Sequence, residues 1–152
     1  MDRSHKLVVS RMLGFTMVEL ITVIVIAGIL AALAAPRFFD RNVFDSRGFY
    51  DQVISTLRYA QKAAIVQHHF VCVEFTASSI TLKTGTTAVC GTNLVSPTGQ
   101  SPYTVTAPSG MTLGGTANFN FDALGRPSAA QSISVSGYAT LITVEAETGY
   151  VH

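Results

Sequence analysis

An acidic side chain, Glu19, lies inside an otherwise apolar stretch of the chain. The stretch covers residues 15–35 and reads FTMVELITVIVIAGILAALAA. A carboxylate within a membrane-spanning helix costs about 2.5–3.5 kcal/mol on insertion scales, so such a group usually has a partner or a role. A cut after Gly14 would give Phe15 a positively charged amine about one helical turn from Glu19. That amine, or the amine of a neighbouring copy, would neutralise the carboxylate, and Glu19 would then set the axial stagger of packed helices. The alternative is a plain signal-anchor helix with Glu19 near the membrane interface.

The composition of the chain changes at Gly14. The first fourteen residues hold three basic residues and one acidic residue, a net charge of +2, whereas residues 15–152 hold seven basic and eight acidic residues, a net charge of −1. A basic leader stays on the cytoplasmic side while an apolar segment inserts. The 21 residues of the segment would rise ~32 Å as a helix, enough to cross a bilayer core. An ordinary secretory signal has a shorter apolar region with its cleavage site after it, whereas Gly14 precedes this one.

A second helix is predicted after the apolar segment. Pro36 is expected to end or bend the first helix, and Asn42 and Gly48 predict a partly loosened connection. Helical periodicity then returns and is predicted to continue to about Gln67. Its apolar face recurs at spacings of three and four residues, and the opposite side carries Asp51, Arg58 and Lys62; the apolar face consists of Phe49, Val53, Leu57, Ala60 and Ala64.

Beyond residue 70 the pattern is typical of β-strands. Residues 70–75 and 79–84 read as a hairpin, residues 91–102 read as a loop, and turn residues separate further short strands. These strands are predicted near residues 103–107, 111–113, 117–121, 132–136, 140–145 and 149–151. The fold class predicted is α+β, with a long N-terminal helix, transmembrane in one half and amphipathic in the other, packed on a C-terminal antiparallel β domain. The predicted segments are a cleaved leader (1–14), a transmembrane assembly helix (15–35), its amphipathic continuation (36–67) and a β-rich globular domain (68–152).

The chain has two cysteines, Cys72 and Cys90. The export-type N-terminus indicates an oxidising compartment, and we therefore favour a disulfide between them over two buried free thiols. Such a bond would stabilise the fold by about 3 kcal/mol on the chain-entropy model. Two cysteines alone do not predict a metal site.

No catalytic set is recognisable in the chain. Serine, threonine and aspartate are plentiful, but they form no nucleophile constellation, so an enzyme is not predicted and no cofactor is expected. His68 and His69 are adjacent, whereas a metal-binding pair on a helix would share a face at a spacing such as four residues. We interpret them as exposed residues at a helix end, and no metal is expected.

The residues around Glu19 resemble the prepilin signal of type IV pilins and type II secretion pseudopilins. The string runs Arg11-Met12-Leu13-Gly14-Phe15-Thr16-Met17-Val18-Glu19-Leu20. The family signal has a basic leader that ends in glycine, then an aromatic residue, glutamate at the fifth mature position and about twenty apolar residues. The resemblance implies that a prepilin peptidase cuts between Gly14 and Phe15 and N-methylates Phe15, that Glu19 serves assembly, and that Pro36 is the helix bend.

The downstream residues are similar to the H-type pseudopilin and minor pilin group, and most to a minor pilin of the mannose-sensitive haemagglutinin (MSHA) pilus. The resemblance to the H-type group is carried by residues 119–127 and 142–151, and the narrower resemblance to the MSHA minor pilin by residues 37–40, 45–52 and 55–62. It implies a minor pilin that joins or primes a surface pilus; a minor pseudopilin of a type II secretion system is the alternative. Some H-type pilins bind DNA through a Gly-Arg-x-Arg motif, but Gly125-Arg126-Pro127-Ser128 lacks the second arginine. Arg126 is therefore interpreted as a turn residue, with a DNA or surface contact as the alternative.

The resemblance also implies partners and a location. The partners are other pilin or pseudopilin subunits, the inner membrane, the prepilin peptidase and the pilus assembly platform. Nucleic acid is not expected to be a partner, because a net charge of −1 on residues 15–152 attracts phosphate weakly. The chain would be a single-pass protein of the bacterial inner membrane with a periplasmic C-terminal domain, and would then reach the pilus and cell surface.

Overall fold

The computed structural model of the chain describes residues 14–39, 41–115 and 117–152. From residue 34 to residue 43 inclusive it describes the backbone without the side chains, and residue 40 is not described at all. The chain divides into two compact units, Met1–Asp40 and Arg41–His152. The predicted leader, residues 1–14, lies outside the described residues except for Gly14.

The described part of the first unit contains helix α1, over Met17–Phe39. Leucine, isoleucine, valine and alanine dominate its sequence, and the first turn contains Glu19. The helix ends three residues past Pro36 rather than at it, and a bend at Pro36 stays a prediction. Over the described residues, no helix reaches the combination of length and apolarity that crossing a membrane requires.

The second unit begins with helix α2, which spans Arg41–Gln67. Its five predicted apolar positions are each at most 2% exposed, which confirms the amphipathic pattern: Phe49, Val53, Leu57, Ala60 and Ala64. Burying a large apolar side chain fully contributes about 1.5–3 kcal/mol, so this face holds the helix on the sheet. Asp51, Arg58 and Lys62 are exposed on the opposite side, as predicted.

The chain continues into short strands, all shorter than eight residues. In chain order they are β1 (Phe70–Phe75), β2 (Ser79–Gly85), β3 (Thr92–Asn93), β4 (Tyr103–Thr106), β5 (Leu113–Gly114), β6 (Phe119–Phe121), β7 (Gln131–Val135) and β8 (Ile142–Val144). The first sheet has the order β3-β2-β1-β6, and β4 also pairs with β2. Strands β1 and β2 form the predicted antiparallel hairpin, with Val71 opposite Thr84.

Alternation along β1 sets the two faces of the first sheet. Val71 and Val73 are fully buried among the core residues, and Cys72 between them points to the opposite face because successive side chains in a strand alternate. Beside β6, Pro127 pairs with Phe121 in an isolated antiparallel bridge. Next to this bridge, the N–H of Ser128 donates to the carbonyl of Asn120 at 2.8 Å.

The second sheet has the order β5-β7-β8. It contributes Ile133, Val135, Ile142 and Val144 to the core, none more than 2% exposed. Its outer neighbour is the segment at residues 150–152, where Val151 forms a bridge to Val144. A helix over two antiparallel sheets confirms the predicted α+β class.

Three local features differ from the sequence predictions. Residues 41–48 are helical, so the loosened connection predicted there is wrong for them. Thr92–Asn93 forms a short strand inside the predicted loop, because β2 offers it a free edge. Residues 149–151 form a single bridge rather than a strand.

Tyr50 lies where α2 meets the second sheet. Its ring stands 4.4 Å from the ring of Tyr138, centroid to centroid. Burial, followed by the neighbouring Tyr138 phenol, raises the pKa of Tyr50 above its ordinary value. The tyrosine pair and the hydrogen bond from Ser46 to the Gly137 carbonyl, at 3.3 Å, connect the start of α2 to the turn after β7.

Candidate functional site

Helix α1 begins with a side-chain cap. The hydroxyl of Thr16 accepts a hydrogen bond from the N–H of Glu19 at 3.2 Å, and the Thr16 carbonyl accepts the first helical bond from Leu20 at 3.1 Å. Threonine followed three residues later by glutamate is the capping-box pattern, which satisfies N–H groups that a helix start leaves unpaired. The spacing of Thr16 and Glu19 in the sequence could have predicted this cap. The sequence prediction considered only the charge of Glu19 and missed the role of Thr16.

The carboxylate of Glu19 has no partner of opposite charge within the part of the chain that the structure describes. The residue is exposed, and the ion pair between described residues joins Lys83 to Glu74 at 2.9 Å instead. A negative charge in the first turn interacts favourably with the helix dipole, by about 0.3–1 kcal/mol. The interaction with the helix dipole does not occupy the carboxylate oxygens, so the Glu19 carboxylate is available to a cation from outside the described residues.

The apolar side chains of α1 are exposed along its described length. Phe15, just before the helix, and the large apolar residues of α1 up to Leu33 are each at least 54% exposed: Phe15, Met17, Val18, Leu20, Ile21, Val23, Ile24, Val25, Ile26, Ile29, Leu30 and Leu33. Contiguous apolar surface of this extent marks a protein or membrane contact. Gly28 lies within it, and a Cβ at this position would meet no atom within 4 Å, so the surface is open there.

The two predicted processing residues, Gly14 and Phe15, lie just before α1. Both are exposed and neither is helical. A Cβ at Gly14 would meet nothing within 4 Å. A peptide bond in this position is open to an approaching enzyme, and the role of the two residues in cleavage stays a prediction.

A disulfide joins Cys72 to Cys90, which confirms the pairing favoured from the sequence. The Cα atoms are 5.9 Å apart, within the usual range for disulfides. Cys72 belongs to β1 and Cys90 follows β2, so the bond holds the 86–91 loop against the face of the sheet turned away from α2. The side chain of Asn120 supports the same loop by donating to the Ala88 carbonyl at 3.4 Å.

Arg126 lies in a tight turn after β6. The carboxylate of Asp122 accepts hydrogen bonds from the N–H groups of Leu124, at 2.9 Å, and Arg126, at 2.8 Å. Gly125 has the left-handed φ of 80° that such a turn requires. These bonds involve the Arg126 backbone, while its side chain is exposed. The geometry fits the interpretation of Arg126 as a turn residue; a ligand contact stays a prediction.

Gln61 joins two turns to α2, a role that the sequence did not reveal. Its side-chain amide donates to the carbonyls of Gly125, at 3.1 Å, and Thr148, at 3.0 Å. The two turns are far apart in the chain, so no local pattern could have predicted that one helix residue holds both. Gly149 follows Thr148 in the second turn. Its φ of 67° and its lack of a side chain allow the backbone to approach Gly125 and Gln61 closely.

Replacing Gly149 with alanine is expected to lower the free energy of unfolding by about 2–3 kcal/mol. The added Cβ would meet the Gly125 carbonyl oxygen and lie 2.6 Å from the Gln61 amide nitrogen, and the positive φ adds strain of order 1 kcal/mol. Chemical denaturation of the full chain in a neutral detergent measures this loss. Gly110→Ala is the matched control, because Gly110 has a φ of 83° but open space around it. Equal losses in both variants would show that the crowding at Gly149 contributes nothing.

Comparison with known proteins points to pilins. The type IV narrow pilus major component PilA5 of Thermus thermophilus is 44% identical to the chain over 54 residues, which cover 36% of the chain and 47% of that protein. The chain therefore matches less than half of the length of this relative. No protein-family model matches the chain.

Two crystal structures of the type IV minor pilin FimU from Pseudomonas aeruginosa PAO1 share the fold. One superposes with a TM-score of 0.54 at 13% sequence identity and covers 76% of the chain, and the other with 0.51 at 11% and covers 70%. Each match includes 90% of the FimU chain. At these identities the likeness concerns the fold, and the chain has a type IV pilin-like α+β fold.

Proposed function

We propose that the chain is a minor type IV pilin, most like those of the MSHA pilus, that is cut between Gly14 and Phe15 and incorporated into a surface pilus or primes its assembly. The fold and the partial match to a Thermus pilus component support the class of protein. The resemblance of residues 11–20 to a prepilin signal supports the processing step.

One observation carries the proposal: the exposed Glu19 carboxylate at the first turn of an exposed apolar helix. Burying that helix among others would desolvate the carboxylate, which costs several kcal/mol unless a cation arrives with the partner. Cleavage after Gly14 creates such a cation, the amine of Phe15. A subunit correctly placed against its neighbour satisfies the charge, whereas a misplaced one does not.

The proposal assigns a role to each segment of the chain. Residues 1–14 are removed, residues 15–35 hold the subunit in the inner membrane until assembly, and residues 36–67 continue towards the globular part. Residues 68–152 face the periplasm and then the fibre surface. The prepilin peptidase, the assembly platform and other pilins are the proposed partners.

Mass spectrometry of the protein extracted from membranes tests the processing step. We expect the mature N-terminus to be Phe15, heavier than the unmodified residue by one CH2 unit, because a methyl group replaces one hydrogen of its amine. Cells without the prepilin peptidase should contain the chain from Met1. Gly14→Val should also retain the leader, because the side chain would fill the space that the enzyme needs beside the cleaved bond, whereas Gly28→Val should be processed normally. An intact Met1 in cells with an active peptidase would overturn the proposal.

Membership of a type II secretion system is the second candidate, since its pseudopilins carry the same N-terminal signal. Deletion of the gene separates the two: loss of surface fibres supports the pilus, whereas loss of protein export with intact fibres supports the secretion system. The geometry at Arg126 gives no added support to DNA binding, because its backbone N–H closes a turn and its side chain is exposed.

A further inference from the structure

An open cleft lies on the solvent side of α2, away from the buried apolar face. It is bounded by the helix and by the 95–103 segment, and its volume is about 700 Å³. Clefts of roughly 300–1,000 Å³ hold small-molecule ligands. The residues that define its chemistry are Asp51, Arg58, Tyr59, Lys62, Pro97 and Tyr103. All of them belong to the second unit of the chain.

The two tyrosines give the cleft a fixed apolar wall. The Tyr59 hydroxyl donates to the Val95 carbonyl at 2.8 Å, and the Tyr103 hydroxyl shares a hydrogen bond with Thr56 at 3.3 Å. The rings meet edge to face with centroids 5.4 Å apart. The hydroxyl bonds and the ring contact hold both tyrosine side chains in place at the edge of the cleft. Rigid aromatic rings supply contact area at low entropic cost.

The charged side chains of the cleft are on α2. Lys62 makes no hydrogen bond or ion pair with any described residue, and it stands one helical turn from Arg58. Arg58 donates from Nε and one terminal nitrogen to the Val151 carbonyl, at 3.2 and 2.9 Å. The other terminal nitrogen is not used in these bonds. Asp51, at the same wall, adds one carboxylate without a hydrogen bond to the described residues.

We propose that this cleft binds an acidic oligosaccharide, a chain of sugar rings that carry carboxylates. The apolar faces of pyranose rings pack on aromatic rings, Lys62 and Arg58 would receive the sugar carboxylate in charge-assisted hydrogen bonds, and Asp51 would accept hydrogen bonds from sugar hydroxyls. A phosphodiester backbone fits less well, because its phosphates have no hydrogen to donate to the Asp51 carboxylate, whereas a sugar ring presents hydroxyl donors beside its carboxylate. A neutral sugar would leave both cations unused.

Binding of trigalacturonic acid to the full chain in a neutral detergent, followed by calorimetry and by NMR shifts of α2 amides, tests the proposal. We expect binding that weakens with salt, and weaker binding of neutral maltotriose. Lys62→Gln should weaken the affinity about threefold to fivefold, the size expected for an exposed charge pair. Arg47→Gln is the matched control, an exposed cation on the same helix outside the cleft, and should bind as the native chain does.

Three results would overturn the proposal: no binding of trigalacturonic acid, equal binding of maltotriose, or an unchanged affinity in Lys62→Gln. Tighter binding of a single-stranded oligonucleotide at the same cleft would also overturn it and favour a phosphate ligand. The readout requires no fibre, so a failure here leaves the proposed pilin function standing. Conversely, a subunit that fails to assemble would still bind the sugar.

Discussion

Glu19→Gln is expected to reduce incorporation into surface fibres by at least about a hundredfold while N-terminal processing continues. Leaving one partner of a buried ion pair uncompensated costs roughly 3–5 kcal/mol, and here the orphan would be the Phe15 amine of a packed subunit. Glutamine keeps the size of the side chain and suits the capping box as well as glutamate does. The ratio of subunit in the sheared fibre fraction to subunit in the membrane fraction measures the effect.

Thr16→Val tests whether an assembly defect comes from the loss of the helix cap rather than from the loss of the Glu19 charge. This change removes the hydroxyl that accepts the Glu19 N–H, which costs about 1 kcal/mol, but leaves the carboxylate in place. We expect Thr16→Val to assemble with only a modest loss. Normal incorporation of Glu19→Gln would contradict the charge-pair explanation, and an equal defect in both variants would show that the helix start is responsible.

Replacing both cysteines with serine is expected to lower the free energy of unfolding by about 3 kcal/mol. The bond closes a loop with a sequence separation of 18 residues, and the chain-entropy model assigns about this stabilisation to a loop of that length. The Cys72→Ser/Cys90→Ser variant should therefore unfold at lower denaturant concentration. Chemical denaturation of the full chain in neutral detergent, followed by the circular dichroism of the β region, measures the shift.

Reduced native protein is the control for this double substitution, because reduction breaks the bond without changing a side chain. A reductant should destabilise the native chain by nearly the same amount and leave the serine variant unaffected. A loss below about 0.5 kcal/mol in both cases would mean that the 86–91 loop is held by its other contacts, such as the bond from Asn120 to Ala88.

Local periodicity predicted most of the elements of the second unit. The apolar face of α2 was readable because its spacing of three and four residues matches one face of a helix, and all five positions are buried. The β1–β2 hairpin was equally readable from two short runs with a brief connection. Such patterns depend on neighbours in the chain, so a single sequence contains them.

The long-range contacts were not predictable in the same way. The sheet order places β6 beside β1 and β4 beside β2, and these two pairings join segments that are distant in the chain. Residues 41–48 looked weakly helical because Asn42 and Gly48 are poor helix formers, yet α2 includes them. Packing of one helical face outweighs such small propensity terms.

The candidate site was predictable in part. Glu19 stood out because a carboxylate in an apolar run is costly, and the cysteine pair stood out because an exported chain favours its oxidation. Thr16 was readable from the capping-box spacing but was overlooked. The roles of Gln61 and of the cleft beside Tyr103 depend on where loops fold back onto α2, and no local spacing contains that information.

Pro127 has a consequence for how crowded copies of the chain can associate. It stands beside the outer strand of the first sheet, in a bridge to Phe121, and a proline has no N–H to offer an incoming strand. Natural proteins use proline at such borders to prevent edge-to-edge aggregation. Adjacent copies would therefore not pair their sheets edge to edge beside β6. Contacts between their helices would then set the spacing of the copies.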